Sequence, residues 1–145
     1  MDAVILVGRI VFAAVFIGAA IGHLSNTAAL SAYVEAVGLR PGRLFVVGSA
    51  VWMLAASILL VLGAWIDVAA LMLVVFLVAT ALFMHLPTAL YVHHFWPVTD
   101  AETQVNEQNQ FTKDLSMAGG AFLLFGFAVK TGNTLAYTLT APLFS

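Results

Sequence analysis

Four long apolar stretches, separated by shorter polar intervals, set the pattern of the chain. They cover about 4–24, 44–64, 67–86 and 113–130, and each is close to the roughly 20 residues that a helix needs to cross a bilayer. The pattern predicts an all-α integral membrane protein, with four transmembrane helices in one domain over residues 1–145.

The polar intervals predict how these helices connect. The turn at residues 63–67 is so short that the second and third helices should form an antiparallel hairpin. A short amphipathic helix at about 27–37 should join the first two helices, with Gly38 ending it. A polar loop and a helical lead-in should precede the fourth helix. Residues 131–145 contain Pro142 and are too few for another span, so we expect an interfacial tail.

The composition agrees with a membrane protein. Hydrophobic residues make up 63% of the chain and charged residues 8%, whereas about a quarter of the residues in soluble domains are charged. The lipid bilayer is therefore an expected partner. A formal net charge of -2 and the lack of a basic run argue against nucleic acid.

The chain has no cysteine. This excludes a thiol nucleophile, dithiol exchange, cysteine-ligated zinc or iron–sulfur clusters, and covalently attached haem. Any redox chemistry would have to use a bound cofactor or a partner protein. The sequence also shows no nucleophile constellation and no acid/base pair, so we assign no catalytic residue and no metal ligand.

Alternation of the four spans divides the polar residues between two ends of the bundle. Both chain termini, Arg9, the 63–67 turn and Lys130 fall at one end, here called the terminal end. All four histidines fall at the other, the loop end. We predict a ligand pocket there, with these candidate residues: His23, His85, His93, Trp96, Gln104, Gln108 and Lys113.

Three interpretations of the histidines remain open. They are ordinary hydrogen-bonded anchors at the membrane surface, or donors to a quinone head group whose ring is covered by Phe95 and Trp96, or ligands of a haem or metal ion. The neighbours His93 and His94 point in different directions on any regular element, so only one of them can face a central site.

The sequence also predicts roles for Arg9 and for four of the glycines. An arginine inside a membrane is costly and usually has a partner, so a structural ion pair with Asp67 is predicted, with snorkelling or an anion site as alternatives. Gly18 and Gly22 should let another helix approach closely. Gly119 and Gly120 are assigned the same packing role.

The chain resembles the DoxX family of small four-helix membrane proteins. The likeness rests on Gly8-Arg9, Gly18 to His23-Leu24, Ala32-Tyr33 to Gly38, Gly63, Phe76 to His85, His94-Phe95-Trp96, Lys113-Asp114 and Gly119-Gly120. Three positions depart from the family pattern: Met53 stands where many members have an acid, Asp114 replaces an asparagine, and Asp67 lies where basic residues are common. The family histidine aligns with either His85 or His93.

The resemblance implies a link to quinones or to membrane-associated oxidoreductases, in a bacterial cell membrane with cytoplasmic termini. Two functions follow as hypotheses. The first is an accessory subunit, not catalytic on its own, that contacts a quinone or docks an oxidoreductase. The second is a structural or assembly subunit that packs against other membrane proteins through its glycine-rich faces. A haem or metal protein ligated by histidine is a third, weaker alternative.

Overall fold

The computed structural model describes residues 1–86 and 101–144, and within them all regular structure is helical. A π-helical turn at Ala81–His85 extends the fourth helix, and a 3-10 turn at Gly132–Thr134 follows the fifth. The helices are α1 Asp2–Ser25, α2 Thr27–Ala36, α3 Gly42–Leu62, α4 Ile66–Thr80 and α5 Ala101–Thr131.

Four of these helices are long and apolar enough to cross a membrane: α1, α3, α4 with its π-helical turn, and α5 with the turn that follows it. Large apolar side chains lie on their outer surfaces, and Val4, Leu44 and Leu123 are 70%, 66% and 77% exposed. Such exposure would be unfavourable in water but suits contact with lipid. The predicted all-α transmembrane bundle is therefore confirmed.

The fifth helix starts earlier than the predicted fourth span. It begins at Ala101, whereas the apolar stretch begins near residue 113. Glutamine and glutamate are good helix formers, and no proline or glycine interrupts residues 101–118. The predicted lead-in and the span therefore form one continuous helix.

The spans pack as sequential antiparallel neighbours, with α1 against α3, α3 against α4, and α4 against α5. Many of the buried positions between them are alanines, which allow close approach of helix backbones. Phe16, Met53, Leu60, Leu73 and Leu77 fill the remaining interior.

The connector α2 lies against the start of α3. Gly42 N–H donates to Glu35 Oε1 at 2.8 Å, which supplies a partner for one unpaired amide at the N-terminus of α3. A Cβ atom at Gly42 would collide with the backbone carbonyl of Ser31. Glycine is therefore required for the close approach of these two helices.

The predicted hairpin between α3 and α4 turns at Gly63, which has a left-handed backbone with φ 69°. Its carbonyl accepts hydrogen bonds from Leu139 N at 3.0 Å and Thr140 N at 3.4 Å. Trp65 N donates to Thr140 Oγ1 at 2.8 Å. The C-terminal tail thus folds back over the hairpin.

The terminal end holds Arg9 and Asp67 with partners other than the predicted one. Arg9 Nε donates to Leu60 O at 2.9 Å, and Arg9 Nη2 donates to Val61 O at 3.2 Å and Tyr137 O at 3.0 Å. The last carbonyls of a helix lack partners within it, so the guanidinium completes the C-terminus of α3.

Asp67 binds the tail. Its Oδ2 accepts from Leu143 N at 2.7 Å and from Phe144 N at 2.9 Å. Within the described residues the ion pairs do not include Arg9 with Asp67. Arg9 and Asp67 instead stabilise the same end of the bundle through separate contacts with backbone atoms.

The glycines assigned to packing lie mostly on the outside. Added Cβ atoms at Gly18, Gly22 and Gly119 would meet nothing within 4 Å, and one at Gly120 would lie 3.8 Å from Phe12 Cε2. Among these four glycines, and within the described residues, only Gly120 therefore faces another helix.

Candidate functional site

A cavity of about 510 Å³ lies at the loop end, between α2, α3 and the end of α4. Its volume falls in the range of ligand sites in proteins. Its walls are formed by His23, Leu30, Tyr33, Val34, Leu39, Phe45, Val46, Ser49, Phe76, Ala79, Thr80, Phe83, Met84 and His85. The surface is mainly apolar, with a few polar groups, as in most sites for small organic ligands.

The π-helical turn positions His85 at this cavity. Leu86 N–H donates to Ala81 O, which is five residues earlier instead of the four of an α-helix. This turn therefore contains one extra residue. This shifts the register of the residues that follow Thr80. Single π-helical turns occur often at functional sites.

His85 lies between two carboxylates of α5. Its Nδ1 is 2.7 Å from Glu107 Oε2, and its Nε2 is 3.6 Å from Asp114 Oδ2. The carboxylates are seven residues apart, so two helical turns place them on one face of α5. Glu107 and Asp114 are 8% and 7% exposed. We call Glu107, His85 and Asp114 the carboxylate–histidine cluster.

Tyr33 joins the cluster from α2. Its hydroxyl donates to Glu107 Oε1 at 3.0 Å, while the other Glu107 oxygen faces His85. The carboxylate of Glu107 therefore links two residues of the cavity wall, and it fixes the position of both.

His23 reaches the opposite part of the wall through Ser49. The Ser49 hydroxyl donates to Val46 O at 2.9 Å, and His23 Nδ1 lies 2.9 Å from the same hydroxyl oxygen. A serine hydroxyl has one hydrogen, so the proton of this second contact belongs to His23 Nδ1. In the neutral ring, Nε2 is then the acceptor that remains for a ligand.

A second hollow of about 320 Å³ runs along the outer surface between α3 and α4. It shares four wall residues with the cavity: Phe45, Ser49, Phe76 and Ala79. We call it the outer groove. Gly48 forms part of it, and a Cβ atom there would meet nothing within 4 Å.

Two of the residues predicted for the pocket lie in the cavity wall, namely His23 and His85. Lys113 is exposed and donates to Gln110, and Gln108 is also exposed. Gln104 is partly buried, and like Lys113 and Gln108 it is not part of the cavity wall. The predicted His93 and Trp96 lie outside the described residues.

Sequence reasoning missed Glu107 as a site residue and noted Asp114 only as a departure from the family pattern. Because α5 begins at Ala101, Asp114 lies inside the helix rather than at its start. The available signal was the seven-residue spacing of two carboxylates leading into an apolar span, opposite a histidine at the end of the preceding span.

The described residues contain no group of three or more histidine, aspartate or glutamate side chains arranged to hold a metal ion. In the carboxylate–histidine cluster the carboxylates approach different nitrogens of one imidazole. The three groups therefore surround the ring instead of converging on a common point.

The fold and the cavity define a small four-span integral membrane protein with a mainly apolar cavity at one end. The DoxX family model matches residues 4–86, which is 83 of the 145 residues, and the chain belongs to the DoxX family. The matched region contains His23, His85 and every other residue of the cavity wall, and ends before α5. No curated protein and no solved structure matches the chain.

Proposed function

We propose that this protein is an accessory subunit of a membrane redox system and that it binds a quinone head group in the loop-end cavity. The observation that carries the proposal is a mainly apolar cavity of about 510 Å³ with His23 and His85 in its wall. A quinone ring needs apolar contact on its faces and hydrogen-bonding groups at its carbonyl oxygens, and this wall offers both.

The histidines suit both oxidation states of such a ligand. Neutral His23 presents an acceptor at Nε2, which fits the hydroxyl of a quinol, and the protonated ring presents a donor, which fits the carbonyl of a quinone. Phe45, Phe76 and Phe83 supply aromatic surface for the ring.

The outer groove supports a ligand with an apolar tail. It adjoins the cavity through four shared residues and lies on the surface of two spans, where lipid would be. A polyprenyl chain leaving the cavity between Phe45 and Phe76 would enter the bilayer there.

The redox partner in this proposal is a soluble oxidoreductase docked at the loop end. The chain lacks cysteine and holds no recognisable nucleophile, so electrons would come from a cofactor of that partner. We place the chain in a bacterial cell membrane with cytoplasmic termini, as in the family resemblance.

The experiment that tests this proposal is a titration of the purified chain in nanodiscs with decyl-ubiquinone and with the tailless 2,3-dimethoxy-5-methylbenzoquinone. We expect saturable quenching of tryptophan fluorescence, with tighter binding of the tailed compound because it also occupies the outer groove. Empty nanodiscs control for partitioning into lipid. Linear, non-saturable quenching for both compounds would contradict the proposal.

The outward-facing glycines favour a second candidate, the structural or assembly subunit. Gly18 and Gly22 are four residues apart on α1, and a Cβ atom added at either would meet nothing within 4 Å among the described residues. Such spacing on a membrane helix allows another helix to pack closely.

Under this second function, Gly18→Leu combined with Gly22→Leu should reduce recovery of a stoichiometric membrane partner by on the order of 10-fold, since small residues carry such interfaces. The measurement is quantitative mass spectrometry after purification from native membranes in mild detergent. Gly126→Leu on α5 is the control, because a Cβ atom added there also meets nothing within 4 Å among the described residues. Equal recovery of the partner with all variants would exclude the α1 surface as its binding site.

The haem alternative has less support from the geometry. A haem iron needs an imidazole nitrogen without a proton and room for the porphyrin around it. Nδ1 of His85 is bonded to Glu107 Oε2, and the Asp114 carboxylate lies 3.6 Å from Nε2, where the iron would have to be.

A further inference from the structure

The carboxylate–histidine cluster has an energetic cost that packing does not explain. Glu107 and Asp114 lie on a helix that crosses the membrane, and both are more than nine-tenths buried. Ionisable groups in such segments are expensive, and they commonly line ion or proton pathways. The cluster borders the cavity through His85, so its charge is placed beside the proposed ligand.

The geometry of the cluster restricts where its protons can lie. Nδ1 of His85 at 2.7 Å from Glu107 Oε2 requires a hydrogen between nitrogen and carboxylate. If His85 Nε2 carried no proton, its lone pair would repel an ionised Asp114 carboxylate. A second proton therefore belongs either to Nε2 or to Asp114. The 3.6 Å separation there is longer than a hydrogen bond, which leaves this proton accessible to another acceptor.

We propose that Glu107, His85 and Asp114 form a proton relay for the ligand in the cavity. His85 is the residue that exchanges the proton with the ligand oxygen, and Glu107 and Asp114 are positioning residues that hold and recharge it. This inference rests on the proposed quinone site and adds to it the source of a proton.

A docked flavin-containing oxidoreductase supplies two electrons, so its reduced flavin is oxidised, releasing its protons to water, and the quinone is reduced. The N–H bond at His85 Nε2 breaks, and an O–H bond forms at one quinone oxygen; solvent water supplies the proton for the other. Two ionised carboxylates, Glu107 and Asp114, then remain at low dielectric beside a neutral imidazole. Their charge draws one replacement proton from water to Asp114, which returns it to His85 before the next cycle.

The other charged and titratable groups nearby have hydrogen-bond partners or are exposed. Tyr33 of α2 donates to Glu107, and Glu35 is engaged by Gly42 N–H. His23 of α1 is bonded to Ser49. Arg43 of α3 and Lys113 of α5 are exposed. Among the described residues, the ion pairs of His85 are with Glu107 and Asp114 alone.

Infrared difference spectroscopy with electrochemical reduction tests the relay on the full chain in nanodiscs loaded with decyl-ubiquinone. The electrode supplies the electrons, so no partner protein is needed. In the wild type, reduction should change a carboxyl C=O band that shifts in deuterated water. Asp114→Asn should remove this band and slow quinol formation by on the order of 100-fold, the size of a typical general acid effect, while quinone affinity is kept.

Asp2→Asn is the matched control, because Asp2 is exposed at the terminal end. It should keep the band and the rate. Glu107→Gln provides a second variant, so that one folded variant is enough to assign the band to the cluster. A wild-type spectrum without the band decides against the relay even where neither variant folds. A bound, reducible quinone without any carboxyl band in the wild type would overturn the relay and leave the quinone site standing. Absence of saturable quinone binding to the wild type would overturn both.

Discussion

Replacing Asp67 by leucine should release the C-terminal tail from the terminal end of the bundle. Asp67 Oδ2 accepts both Leu143 N and Phe144 N, and the carboxylate is fully buried. Leucine is of similar size but accepts neither bond, so two backbone amides lose their partner. Hydrogen bonds to charged groups contribute about 1.5–3 kcal/mol each, and we expect tail docking to weaken by roughly 3 kcal/mol after part of the loss is offset by removal of a buried charge.

The measurement is the mobility of a spin label at Ala141→Cys, a position that is exposed and lies in a chain without other cysteines. The label should change from restricted to mobile in Asp67→Leu. Asp67→Asn is the matched control, since its amide oxygen can still accept a bond and should preserve most of the docking. A label that stays equally restricted in the leucine variant would show that the carboxylate does not hold the tail.

The spans could be predicted from the sequence because the bilayer imposes one simple condition, about 20 apolar residues for each crossing. The hairpin at Gly63 could also be predicted, because three residues between α3 and α4 are enough only for a tight turn between antiparallel helices. The start of α5 could not be placed in this way. Its first turns are polar, and only helix propensity and packing decide whether they continue the span.

The partners of Arg9 show a second limit. Sequence reasoning looked for an opposite charge, and Asp67 was the available carboxylate at that end. The structure gives both groups backbone partners: carbonyls of α3 and of the tail for the arginine, and amides of the tail for the aspartate. These atoms occur at every residue and leave no signal in the sequence, so their use depends on the folded path of the tail.

The site was predicted in part because alternation of the spans is enough to collect histidines at one end. This alternation places His23 and His85 near each other, but it does not specify how their rings are oriented. The π-helical turn at Ala81–His85 changes the register within one span, and nothing in its apolar sequence marks it. For this reason Glu107 and Asp114, which contact His85, were not recognised as its partners.

A bulky side chain at Ala79 should abolish quinone binding without unfolding the protein. Ala79 lines both the cavity and the outer groove, so a tryptophan there would occupy space required by the ring and by the start of the tail. We expect Ala79→Trp to weaken decyl-ubiquinone binding by at least about 100-fold, which corresponds to roughly 2.7 kcal/mol. The space exists before substitution, so the fold should tolerate the larger side chain better than a packed core would.

The titration used for the wild type measures this effect, with thermal unfolding followed by circular dichroism in the same nanodiscs. Val51→Trp on α3 is the control, because Val51 is 59% exposed and belongs to neither hollow. It adds the same fluorophore and bulk at a lipid-facing position, so its quinone affinity should match the wild type. Undiminished binding to a folded Ala79→Trp variant would place any quinone site away from this cavity. A loss confined to Ala79→Trp would instead tie binding to the volume between α3 and α4, since all the histidines and carboxylates are unchanged in both variants.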